Sequence, residues 1–145
     1  MTPDVNVLVA ASRDDHPHHK TAITWLHHAL EACGDGATFR LLPMVTAAFL
    51  RLTTNPRIFP KATPLDDAVA FIDALAEAPG VDMPSIGPEW PLLRQLCTDK
   101  SLTANQIPDA WIAACVNYLG EHLVTFDADF NALLRPAQLT VLPAH

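Results

Sequence analysis

Four aspartates are the residues through which this sequence could do chemistry. Asp4 opens Asp4-Val5-Asn6-Val7-Leu8-Val9, Asp109 follows Pro108 ahead of Ala110-Trp111, and Asp127 and Asp129 stand in Thr125-Phe126-Asp127-Ala128-Asp129-Phe130. Hard divalent cations such as Mg²⁺ and Mn²⁺ prefer oxygen ligands and usually keep several waters. A few carboxylates around one or two such ions suit hydrolysis of a phosphodiester, in which the metal activates water and stabilises charge on the attacking and leaving oxygens. Each acid also has a plainer explanation. Asp109 would be favoured by the dipole of a helix it begins, Asp127 and Asp129 would serve as turn residues, and Asp4 would be a solvated residue near the start of the chain.

The elements around these acids favour convergence. Thirteen prolines punctuate the chain, several where helices should begin. Pro17 precedes a helical pattern through Ala22, Ile23, Leu26 and Leu30. Thr63-Pro64 offers an N-cap with proline at the first helical position, leading into Ala68, Phe71, Ile72 and Leu75. Gly87-Pro88 opens Trp90, Leu93 and Leu96, and Pro108 opens Ala110 to Leu119. Short strand-like pieces lie between: Thr38 to Leu42, Val81 to Ile86 (weakened by Pro84), His122 to Phe126 and Leu139 to Leu142. The first segment reads either as a strand over Asp4 to Val9 or as a strand ending near Asp4 that hands over to a helix. Helices alternating with short apolar strands indicate an α/β domain whose central sheet is mainly parallel, with helices on both faces. In such folds the functional crevice lies outside the carboxyl ends of the strands. Asp127 follows one strand, Asp109 starts a helix, and Asp4 ends the first strand under the handover reading. Acids far apart in sequence would then meet at one rim.

Bulk properties set limits. A chain of 145 residues, 50% hydrophobic and 17% charged, can bury one core, and no repeat or linker divides residues 1–145. No apolar run approaches the roughly 18 residues of a membrane span, and the N-terminus lacks a signal peptide's basic region and apolar core. Cys33, Cys97 and Cys115 form no disulfide framework. Cys115 reads as a small buried hydrophobe, and a reducing cytoplasm is the expected location. The net charge of -7 works against non-specific binding of phosphate backbones. Bound cations reverse that sign locally, and Arg51 and Arg57 could form a small basic rim.

Four segments, taken in order, resemble one family. Asp4 to Ala10 is similar to the opening motif of a VapC toxin subfamily within the PIN domain superfamily. Phe49-Leu50-Arg51-Leu52-Thr53-Thr54-Asn55-Pro56-Arg57 resembles its second-helix signature. Asn105 with Pro108-Asp109-Ala110-Trp111-Ile112-Ala113-Ala114 is similar to the third block, and Gly120 through Phe130 to the fourth. The match is ordered and spans nearly the whole chain. It implies a PIN-like three-layer α/β/α fold and a Mg²⁺- or Mn²⁺-dependent endoribonuclease toxin acting on RNA. It also implies a VapB-type antitoxin as partner and a homodimer. The family's acids fall on Asp4, Asp109 and Asp127. Asp129 lies at an often acidic position, while Asn6 and Thr125 fall at polar positions that hold carboxylates or waters.

One position departs from the family. Ala48 stands where a glutamate is expected just before the Phe-Leu-Arg piece. Alone, Ala47-Ala48 would be read as helix packing; against the family pattern it is a missing oxygen ligand. An alanine introduced to disarm a toxic nuclease is the reading that the otherwise complete acids favour. A native alanine would mark a weakened enzyme or a catalytically silent domain that binds antitoxin or RNA. Arg51 is read equally as a helix-terminus charge and as a contact to phosphate or a site carboxylate. Phe49, Leu52, Phe59 and Phe71 offer a face for a partner helix, although the same residues would serve as core.

Other signals carry less. His16-Pro17-His18-His19 with His27 and His28 invites a transition metal, but adjacent histidines cannot share a helix face and His19 and His27 lie about two turns apart. Exposed histidines on an amphipathic helix are the better reading. Asp4-Val5-Asn6 departs from a haloacid-dehalogenase phosphatase, which needs a second aspartate at Asn6. No GxxxxGK phosphate loop exists among the five glycines.

Overall fold

A parallel sheet built from very short strands organises the chain. The computed structural model describes residues 1–144. Strand β1 (Thr2–Pro3) pairs with β4 (Leu123–Thr125), and β4 with β5 (Leu139–Val141). Strand β2 (Phe39–Arg40) pairs with β3 (Val81–Asp82). The two pieces are stitched together where the Arg40 amide donates to the Met1 carbonyl (2.9 Å) and the Thr2 hydroxyl donates to the Arg40 carbonyl (2.6 Å). The spatial order is therefore β3-β2-β1-β4-β5, every pairing within the two pieces is parallel, and the winding reverses between β1 and β4. A reversal of this kind opens a crevice at the strands' carboxyl ends.

Six helices connect and cover the strands: α1 (Val5–Ser12), α2 (His19–Gly34), α3 (Pro43–Thr53), α4 (Leu65–Glu77), α5 (Trp90–Lys100) and α6 (Gln106–Leu119). Helix α1 packs against α2 and α3, α3 against α4, and α5 against α6, completing a three-layer α/β/α arrangement. Val7 through Ala11 of α1 are all buried. A helix apolar all round belongs in the interior, which explains why its valine run also suited a strand. The handover at Asp4 is the arrangement found. Phe39, Phe49, Phe130, Leu8 and Leu123 are among the largest fully buried side chains. Among the described residues no helix is long and apolar enough to cross a membrane, and the three cysteine thiols are free.

Several boundaries move for identifiable reasons. Val81 to Ile86 shrinks to Val81–Asp82, because the chain leaves the ladder ahead of Pro84. Helix α4 is capped by Pro64 rather than Thr63. The Thr63 hydroxyl instead accepts from Arg13 (3.0 Å), whose guanidinium also grips Asp15 and the Lys61 carbonyl and lies 4.0 Å over the Phe59 ring. Helix α6 starts before Pro108, which is tolerated because amides of a first turn need no intrahelical partner. Its end is closed by Gly120 at φ 63°, with the Glu121 amide donating to the Val116 carbonyl (2.9 Å).

His27 and His28 are exposed as expected, but His16, His18 and His19 are half-buried. The His19 Nδ1 donates to the Ala10 carbonyl (2.8 Å), and the His18 ring stacks on Phe126 at 4.9 Å. His19 ties α2 to α1 and His18 ties the start of α2 to the turn after β4, so these are not solvated helix residues. The suggested partner-helix face is also taken: Phe49 is fully buried and stacks on Phe71 at 5.2 Å, while Leu52 and Phe59 pack against the core.

A candidate active site of four carboxylates

The chain turns from strand to helix at Asp4, and that turn fixes its side chain. The Asp4 amide is still in the ladder, donating to the Val124 carbonyl (2.8 Å), while its carboxylate caps α1 by accepting from the Val5 amide (2.7 Å). Its other oxygen accepts from the Thr125 hydroxyl (2.7 Å) at the end of the neighbouring strand. Thr125 is fully buried, and its oxygen also accepts from the Asp127 amide (3.0 Å) and the Asn6 side-chain amide (3.3 Å). The Asn6 carbonyl oxygen in turn accepts from the Phe126 amide (3.2 Å). One hydroxyl thus ties the first acid to the backbone carrying the third. Asn6 and Thr125 hold carboxylate and backbone in place, the kind of support expected from their positions in the sequence.

Asp127 caps a 3-10 turn (Ala128–Ala132), its carboxylate accepting from the Asp129 amide (2.9 Å). Phe130, fully buried, anchors that turn to the core. Asp109 enters from the first turn of α6, half-buried and, among the described residues, without a side-chain hydrogen bond.

The four acids feel one another's charge. Burial raises the Asp4 carboxyl above its ordinary value, the hydrogen bonds from Thr125 and Val5 oppose this, and the Asp127 charge adds to it. Asp109 is pushed up to about 6, first by burial and then by the charges of Asp4, Asp127 and Asp129. An open cavity of about 890 Å³ lies against Asp109 and Asp129 and is also lined by Lys100, Asn105, Gln106 and Asn131. The lysine and the Gln106 and Asn131 amides were missed from sequence; only Asn105 carried a signal, through the family motif. Ala48 and Arg51 do not line that cavity. Ala48 is half-buried on α3, the helix packed against α1, and contributes only a methyl group; Arg51 is exposed and forms no ion pair among the described residues.

The donor set tests whether a metal would fit. All four side chains offer hard oxygen, and Asp109 releases its proton less readily than an ordinary carboxyl because it is partly buried and its neighbours are anionic. A divalent cation would relieve that repulsion. Among the described residues no three His, Cys, Asp or Glu side chains are already gathered as a metal cage, so the arrangement is a shared anionic field. It fits Mg²⁺ or Mn²⁺, ions that bind through one or two carboxylates and retain water.

Comparison with known proteins bears on the fold and the family. The PIN domain family model matches residues 1–134. Ribonuclease VapC25 of Mycobacterium tuberculosis is 41% identical over 128 residues, covering 88% of each chain. Ribonuclease VapC31 of the same organism is 40% identical over 130 residues, again covering 88% of each. The crystal structure of VapBC2 from Rickettsia felis bound to a DNA fragment from their promoter superimposes with a TM-score of 0.67. It is 16% identical, with 98% of each chain covered.

Proposed function

This chain belongs to the PIN domain family, and on that premise we propose that it is a metal-dependent endoribonuclease, the toxin of a VapBC-type toxin–antitoxin module. Residues 1–145 are read as one such domain, working in the cytoplasm as a homodimer and restrained by a VapB-type antitoxin. The observation that carries the reading is the shared field of Asp4, Asp109, Asp127 and Asp129 at the winding reversal between β1 and β4.

Mg²⁺ or Mn²⁺, when bound, supplies charge neutralisation and activation of water at the scissile phosphate. Asp4, Asp109 and Asp127 would hold the ion, with Asp129 assisting from the exposed rim. Thr125 and Asn6 keep Asp4 and the Asp127 backbone at fixed separation, so the acids cannot drift apart under their own repulsion. Lys100 lines the cavity and would meet the RNA backbone; Arg51, exposed on α3, would offer a second contact. Ala48 leaves the site one carboxylate short, and groups acting as a unit lose activity out of proportion when one is absent. A weakened nuclease is the expected state of this chain.

The test is cleavage of labelled RNA with Mg²⁺ or Mn²⁺ by this chain, Ala48→Glu, and Ala48→Glu combined with Asp4→Asn. Cleavage that rises in the first variant and vanishes in the second establishes the carboxylate site. Silence in all three, with RNA from a suitable host, favours a domain that binds antitoxin or RNA without cutting.

A further inference from the structure

A second cleft, separate from the four acids, opens where α5 meets α6. It has a volume of about 340 Å³ and is lined by Gly87, Trp90, Leu93 and Trp111, with Glu89 beneath. Trp90 is 61% exposed and Trp111 37%, so two indoles face solvent at its mouth. Glu89, in contrast, is 2% exposed. Both its oxygens accept from the Gly87 amide (2.6 and 2.8 Å), and the Cys115 thiol lies against it, pushed up to about 12 by burial and by the Glu89 charge. Among the described residues no cation pairs with Glu89. The N-terminal end of α5, which begins at Trp90, offsets only about half a charge.

A buried carboxylate left without a counter-ion sets up a field that nearby water screens poorly. The cleft that lies over it is walled by aromatic and aliphatic surfaces. Indole faces attract cations most strongly among aromatic side chains. A guanidinium is planar, weakly hydrated and stacks on such faces better than an ammonium, while its methylene stem suits Leu93. We propose that this cleft receives an arginine side chain presented by a protein partner. The chain's net charge of -7 draws basic partners towards it. This assignment does not depend on ribonuclease activity, because none of the four acids lines the cleft.

The experiment follows the indole N–H signals of Trp90, Trp111 and Trp25 by nuclear magnetic resonance in the intact chain at low salt. N-acetyl-arginine amide is the probe and N-acetyl-citrulline amide its neutral isostere. The expected result is a saturable shift of Trp90 and Trp111 with the arginine probe, a still Trp25, and affinity about tenfold weaker or worse for citrulline. Glu89→Gln should weaken the arginine probe similarly, with the Trp25 signal confirming the fold. If that variant does not fold, the citrulline comparison in the unaltered chain decides alone. Equal response to both probes would mean a merely apolar cleft and overturn the proposal. So would Trp90 and Trp111 signals that move with protein concentration and no longer respond to the probe, since a second copy would then cover the cleft.

Discussion

Removing the charge of Asp109 should make the metal-free protein more stable, and only where that acid is ionised. Burial and the neighbouring acids push Asp109 up to about 6 in the folded chain, against an ordinary value of 3.8. Below 3.8 both folded and unfolded chains hold the proton and the group contributes nothing. As pH rises from there the unfolded chain releases its proton first, so folding stability falls; above about 6 the whole cost is present. At about 1.36 kcal/mol per pH unit the gap would correspond to ~3 kcal/mol for a fully shielded carboxyl. Asp109 is only half-buried, and solvent screening reduces this to ~1 kcal/mol. Among the described residues its side chain forms no hydrogen bond that Asp109→Asn would lose. Urea denaturation in a chelator should therefore show the variant ~1 kcal/mol more stable at pH 7.5 and by only a fraction of that at pH 4.5. With saturating Mg²⁺ or Mn²⁺ the order should reverse, because the unaltered chain gains binding energy that the variant has partly lost. A gain of the same size at both pH values, or none at pH 7.5, would refute a shared field among the four acids.

Other substitutions probe the supports around the site. Thr125→Val removes the hydroxyl held by Asp4 and leaves the Asp127 and Asn6 amides without an acceptor. A loss of ~2–3 kcal/mol is expected in denaturant, whereas Thr125→Ser should stay close to the parent. Arg13→Met frees the segment gripped at Asp15, Lys61 and Thr63, so limited proteolysis between Thr54 and Pro64 should quicken and stability fall by ~2–4 kcal/mol. Ala48→Glu should raise metal-dependent RNA cleavage by ~10²-fold or more, read as initial rate on a labelled strand.

What the sequence made legible follows from how far each signal reaches. Asp127 could be placed because an apolar run must end where its strand leaves the sheet, and Asp4 because a handover from strand to helix was one of two readings of its valine run. The choice between those readings depended on α2 and α3, which bury α1 all round and turn β-branched residues into helix interior. That information lies in tertiary packing, beyond local periodicity. Thr63 failed as a cap for a similar reason: Arg13, about fifty residues away in the chain, takes its hydroxyl. Lys100 and Asn131 joined the cavity only when a 3-10 turn anchored by Phe130 faced the end of α5. Glu89 was the least visible of all, since an acid beside Gly87-Pro88 looks like any solvated turn residue. Its burial beneath Trp90 and Trp111 emerges only when α5 and α6 close on each other. The acids that bear on the proposed chemistry were readable because they sit at element ends, where backbone geometry constrains side chains; the partners that surround them were not, because only the assembled fold selects them.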